Sequence, residues 1–136
     1  ANRSYSVTIS SDQPIVIGAR SSVVTGGVDF AWYNAGDTMN HNFLFTTSTG
    51  PNPTLHVLND QSSDATVTVT SRAGGSLVVK VLAHTAAGIP VLPNTVYEAT
   101  STTVLTASVG YLGDGLLSSY SIDAPSPLAS PITIYP

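Results

Sequence analysis

The chain reads as an all-β protein. The expected form is a single antiparallel β-sandwich, of immunoglobulin-like or jelly-roll kind, with about ten short strands and an extended proline-rich C-terminal arm. Three observations predict it. Alternating apolar and polar runs recur, with turn signals roughly every 8–12 residues. Helix signals are weak, since the one candidate, residues 79–87, lacks caps and opens on β-branched residues. Hydroxyls stand where charges usually do: Ser and Thr number 18 and 17 of 136 residues, and only 9 % are charged, against roughly 25 % in an average soluble protein.

In chain order, residues 5–9 (YSVTI) alternate and predict a first strand. Residues 10–14 turn, and Ile15, Val16 and Ile17 read as a short buried strand ended by Gly18. Residues 22–25 continue the sheet until Gly26-Gly27. In residues 28–33 (VDFAWY), Val28, Phe30 and Trp32 share one face and Asp29, Ala31 and Tyr33 the other, which predicts Trp32 and Phe30 inside the sandwich. Asn34-Ala35-Gly36-Asp37 is a turn, and residues 41–47 form a strand with Phe43 and Phe45 on one side and Leu44 on the other. Residues 48–53 (STGPNP) predict an exposed turn, because neither proline can donate to a ladder. Residues 55–58 are a strand, and residues 59–64 (NDQSSD) a polar loop.

The clearest signature is residues 65–84, two alternating arms around the link Arg72-Ala73-Gly74-Gly75, which predict a β-hairpin. The second arm is apolar on both faces: Leu77, Val79, Val81 and Ala83 on one, Val78 and Leu82 beside Lys80 and His84 on the other. A strand with one wet face alternates more cleanly, so this arm is expected to be central and covered on both sides. Residues 85–88 turn, and residues 89–92 form a short extended piece interrupted by Pro90. Residues 95–100, 102–111 and 116–122 are strands, the last two joined by Gly113-Asp114-Gly115. One domain is expected over residues 1–123. The arm, residues 124–136, carries Pro125, Pro127, Pro131 and Pro136, and its Ile132 and Ile134 alternate with Thr133 and Tyr135. That pattern makes Ile132, Ile134 and Tyr135 the candidate subunit interface, docking as an edge strand.

Composition excludes several function classes. Arg3, Arg20, Arg72 and Lys80 are scattered, so no basic patch marks a nucleic-acid partner. No apolar run approaches the ~20 residues that span a bilayer, so membrane insertion is not expected. The opening ANRSYS shows no signal segment, although a mature chain would have lost one. Without cysteine there is no disulfide scaffold, thiolate metal site or cysteine nucleophile.

Chemistry-bearing groups are few, and the expectation is no enzyme and no cofactor. The densest cluster holds Asp29, Asp37 and His41 around Trp32 and Tyr33. Trp32, Tyr33, Asp37 and His41 could serve as a ligand platform for a sugar, the rings stacking and the polar groups orienting. The plainer reading makes Asp37 a turn residue, Trp32 a core residue and His41 a strand start. Residues 59–64 offer carboxylates of a kind that suits Ca²⁺ but without a regular calcium-loop spacing, and acidic loops are common. His41, His56 and His84 lack zinc-ligand spacing, and no Gly-x-Ser-x-Gly elbow occurs. Asn2-Arg3-Ser4 matches a glycosylation acceptor. Tyr33, Tyr97, Tyr111, Tyr120 and Tyr135, with so few charges around them, suit protein–protein burial.

One stretch, Ser10-Ser11-Asp12-Gln13-Pro14-Ile15-Val16-Ile17, resembles the SDQP segment recurring in tail and other structural proteins of bacteriophages. The resemblance covers eight residues and carries no functional residue; what it implies is a virion component. The expected function is therefore a non-enzymatic structural protein of an extracellular assembly: a phage decoration, fibre or tail component contacting copies of itself or a neighbouring shell or tail protein. A net charge of only −4 offers little repulsion to close packing. The alternative is a secreted or cell-surface carbohydrate-binding module, distinguished by an aromatic platform open to solvent.

Overall fold

The computed structural model describes residues 7–23, 29–34, 41–113 and 115–123. Ten strands form there: β1 (Gly18–Val23), β2 (Asp29–Asn34), β3 (Asn42–Thr46), β4 (Thr54–Asn59), β5 (Ala65–Ser71), β6 (Ser76–Val81), β7 (Thr85–Pro90), β8 (Val96–Ser101), β9 (Thr106–Gly113) and β10 (Leu116–Ile122). No helix occurs among the described residues. One four-stranded sheet runs β3-β8-β5-β6, the other β10-β9-β4-β7, and β1 and β2 make a separate hairpin. Every pairing is antiparallel. The fold is the expected all-β sandwich; the arm, residues 124–136, lies outside the described residues.

Alternation builds the core. Phe43 and Phe45 of β3, Leu55 and Val57 of β4, Ala65, Val67 and Val69 of β5, Tyr97 and Ala99 of β8, and Ala107 and Val109 of β9 all face inward. Burying such side chains contributes on the order of 1.5–3 kcal/mol each. The Phe45 and Tyr97 rings stack with centroids 5.0 Å apart. Two tyrosines end in hydroxyls that serve loops: Tyr111 Oη accepts from the Ser48 amide at 2.8 Å, and Tyr97 Oη accepts from the Leu92 amide at 2.7 Å. Both are buried, so these two tyrosines belong to the core rim and are not free to meet a partner.

Three expectations need correction. Residues 15–17 are not a buried strand: they lack strand structure, and Val16 is fully exposed. The strand begins only at Gly18, where the polar run GARSSV finds β2 to pair with, so pairing overrides propensity. Residues 7–9 likewise carry no strand. Residues 85–88 do not turn; β7 runs through them, and the reversal sits one step earlier at Ala83 and His84, the latter at φ 54°. Of the small residues that resemble a turn, Gly88 lies across from His56 on the outer face and Ala87 packs against the core.

The third correction concerns the organising hairpin. Its two arms pair as expected, Ala65 with Val81, Val67 with Val79 and Val69 with Leu77, around a four-residue link whose Gly74 and Gly75 have positive φ. But β6 is an edge strand, not a central one. Val81 is buried and Val79 packs against the core, whereas Leu77, Val78 and Leu82 are exposed. Lys80 meets Asp64 at 2.7 Å on that open side.

Candidate functional site

The β1–β2 hairpin presents an aromatic face. Register places Arg20 opposite Trp32 and Ser22 opposite Phe30, so these four share a side. That side is the open one: Trp32 is 63 % exposed and Phe30 50 %. The Arg20 guanidinium lies 4.7 Å from the Phe30 ring centroid, a cation–π distance. Gly18 lies next to Trp32 on the same side, and a Cβ there would come no nearer than 3.9 Å to the indole. The opposite side is anchored inward. Ala31 is buried, and Asp29 accepts from the Leu117 amide of β10 at 2.7 Å and from its neighbour Phe30 at 2.8 Å. Those hydrogen bonds hold the Asp29 carboxyl below its ordinary value, the one from Leu117 most.

Trp32 and Phe30 are therefore not in the core, and that expectation is corrected. Among the described residues the hairpin packs mainly on the flank of β10, and small residues allow a closer approach there than rings do. Ala31 goes in and the rings go out.

The sequence-predicted platform does not assemble as one site. Tyr33 lies on the face opposite Trp32 and is half-buried. His41 precedes β3, its Nδ1 2.9 Å from the Ser101 carbonyl oxygen of β8, while β2 packs on β1 and β10. Asp37 lies outside the described residues, as do the interface candidates Ile132, Ile134 and Tyr135. Conversely, Arg20 and Phe30 join Trp32, and sequence reasoning left both out. The signal was present only as register: the hairpin pairing that sets Arg20 across from Trp32.

Elsewhere the polar groups are engaged within the fold. The buried Asn59 amide donates to the carbonyls of Ser63, Val81 and Leu82, and its oxygen accepts from the Gln61 amide. Asp64 takes Lys80 and the Ala83 amide, which together hold its carboxyl below the ordinary value, Lys80 first. The 59–64 loop thus links β4 to β6 and to the turn before β7. Among the described residues no group of three or more His, Cys, Asp or Glu could hold a metal ion. On the outer face of the second sheet His56 stands across from Ser108 and Gly88, its ring over Gly110, and burial pushes its pKa down.

On the side where β3 and β10 face each other, an open groove is lined by Leu44, Phe45, Thr46, Tyr120, Ser121, Ile122 and Asp123. Tyr120 donates to the Thr46 carbonyl across it. Burial, with Tyr111 nearby, pushes the Tyr120 hydroxyl pKa up.

No protein-family model matches the chain, and no curated protein matches it. Among solved structures, the crystal structure of Thermotoga maritima 1070 is similar at a TM-score of 0.45 and 11 % identity, over 61 % of this chain and 90 % of that one. A likeness so slight carries no argument.

Proposed function

We propose that the chain is a non-enzymatic structural subunit of an extracellular assembly, acting through contacts with further copies of itself or with a neighbouring protein. One observation carries this reading: β6, a strand with the two-sided apolar composition of a central strand, occupies a sheet edge. Its Val78 is 62 % exposed and Leu77 46 %, beside a ladder that no strand of the described residues pairs. Free edges are usually blunted by charge. Here the single lysine of the edge is already neutralised by Asp64. A partner strand would cover both the ladder and the side chains. The exposed Val7, Ile9, Ile15 and Val16 ahead of β1 add apolar surface of the same kind. The form we propose is a phage decoration, fibre or tail component, which rests on the resemblance at residues 10–17.

Light scattering tests it. The wild-type chain of 14.0 kDa should scatter as a trimer or larger, and Val78→Lys should reduce it to one copy with an unchanged far-ultraviolet dichroism spectrum. A wild-type monomer at high concentration sinks the reading.

A second reading, a carbohydrate-binding module, is favoured by the open indole of Trp32 beside Phe30. Ring faces offer flat apolar ground to a sugar, and the hydroxyl-rich surroundings offer hydrogen bonds. The two readings are compatible, because β6 and the hairpin are different parts of the surface.

A further inference from the structure

The geometry points to the outer face of the β1–β2 hairpin as a binding site for a glycan residue that carries one carboxylate, with Trp32 as the stacking platform and Arg20 as the carboxylate clamp. The inference rests on the carbohydrate-binding reading and narrows it to a substrate class.

Size comes first. An aromatic side chain buries about 150–250 Å² when fully covered. Phe30 at 50 % and Trp32 at 63 % exposure therefore leave on the order of 200–300 Å² of ring surface open. A stable protein interface needs about 800 Å² on each partner. Two rings on one hairpin face fall well short of that, and they suit one or two sugar rings. Spacing agrees, since residues i and i+2 of a strand stand about 6.8 Å apart on one face.

Charge comes second. Arg20 is paired across the ladder with Trp32 and rests on Phe30, so its planar fork is held beside the open indole. Among the described residues the one ion pair is that of Lys80 with Asp64, and no carboxylate takes Arg20. A guanidinium preordered by stacking binds a carboxylate through two parallel hydrogen bonds at reduced entropic loss. Ser22, across from Phe30, adds a hydroxyl on the same side. The net charge of −4 repels an anion only weakly, and Arg20, the one basic residue of β1 and β2, pairs a single carboxylate locally. At physiological salt the repulsion from the rest of the chain is screened beyond about 8 Å. The ligand class that meets both conditions is a glycan, neutral in the main, with one acidic sugar.

Trp32 is the one tryptophan of the chain, so emission excited beyond the tyrosine absorption band reports on this face alone. The experiment titrates the full chain with sialyllactose, which carries one carboxylate, and in parallel with lactose, its neutral core. Saturable change of the emission by sialyllactose is expected, about tenfold tighter than by lactose, the factor one charge-assisted contact supplies. Arg20→Gln should bring sialyllactose down to the lactose level without altering the dichroism spectrum. Equal affinity for both sugars overturns the acidic preference and leaves the carbohydrate reading standing. No response to either overturns both. Retention of the preference in Arg20→Gln removes Arg20 as the clamp and overturns the proposal. An emission that shifts with protein concentration alone puts a second copy of the chain on this face, which also overturns it.

Discussion

The sandwich and the β1–β2 hairpin use the same two-residue period and resolve it in opposite ways. In β3, β4, β5, β8 and β9 the larger apolar side chains turn inward, because a second sheet stands about 10 Å away with room for them. In β2 the small Ala31 turns inward and Phe30 and Trp32 turn out. The hairpin faces the flank of one strand, to which it is tied by Asp29 and the Leu117 amide. Period decides that two faces differ; what lies opposite decides which face is buried. Where large rings are left out in the open, stability did not select them, and a binding role is the reading with a physical motive.

The largest contrast is between deletions of bulk. Leu105 is wholly buried among the side chains of both sheets. Leu105→Ala should cost about 2–5 kcal/mol through lost transfer energy and a residual cavity. Trp32→Ala removes a far larger side chain, yet the unfolding free energy from urea titration should move by no more than about 0.5 kcal/mol, the ordinary scale of a surface change. If Trp32→Ala costs as much as Leu105→Ala, the indole is part of a core and the hairpin face is not a free platform.

Glycines sharpen the same comparison at a smaller scale. A Cβ on Gly50 would run into the ring of Tyr111, whose hydroxyl is fixed by the Ser48 amide. Gly50→Ala should therefore cost about 1–3 kcal/mol by overpacking. Gly18 in the hairpin has open space, its nearest neighbours at 3.9 Å, and an ordinary backbone. Gly18→Ala should be neutral within about 0.5 kcal/mol. Thermal midpoints of the two variants, taken side by side, check the pair; a costly Gly18→Ala would mean the hairpin is packed as tightly as the body.

Legibility in the sequence follows the same divide. The strands with a full sheet opposite them declare themselves by strict alternation: β3, β4, β5, β8 and β10 lie where the period puts them, within a residue or two. Strand β6 misleads because alternation reports how many faces are apolar and is blind to how many neighbours a strand has. Its two-sided pattern fits a covered strand and is found on an edge. Strand β7 misleads because Ala86, Ala87 and Gly88 resemble a turn, while in the sheet Ala87 packs against the core and Gly88 lies across from His56 on the outer face. The platform was half legible. Trp32 stands out by its chemistry, but Arg20 is twelve positions away in the chain, and only the hairpin register brings the two together. Asp37 and His41 looked adjacent to Trp32 in sequence; His41 is instead held by Ser101 of β8.

Acid separates the two regions by pH. His56 of β4 is partly buried on the outer sheet face, and burial disfavours its imidazolium, so its folded pKa lies below the ordinary 6.5. As pH falls past 6.5 the unfolded chain takes up a proton at this position and the folded chain does not. Stability from His56 is thus complete above 6.5 and declines as pH drops from there through the folded value. Asp29, the hairpin anchor, has its carboxyl held below the ordinary 3.8 by the Leu117 and Phe30 amides. Its contribution is present above 3.8 and lost only as pH falls further, through the folded value. Acidification should therefore loosen the body before it releases the hairpin. Thermal midpoints from neutral pH downward should show a first decline just below 6.5 that vanishes in His56→Gln, and a second, below 3.8, that remains. Hydrogen exchange of the β2 amides should stay at its neutral-pH protection, after correction for intrinsic rate, until the second decline. If His56→Gln keeps the first decline, another group carries it; if β2 loses protection with the first, the hairpin and the sandwich are one cooperative unit and the contrast between them is one of surface alone.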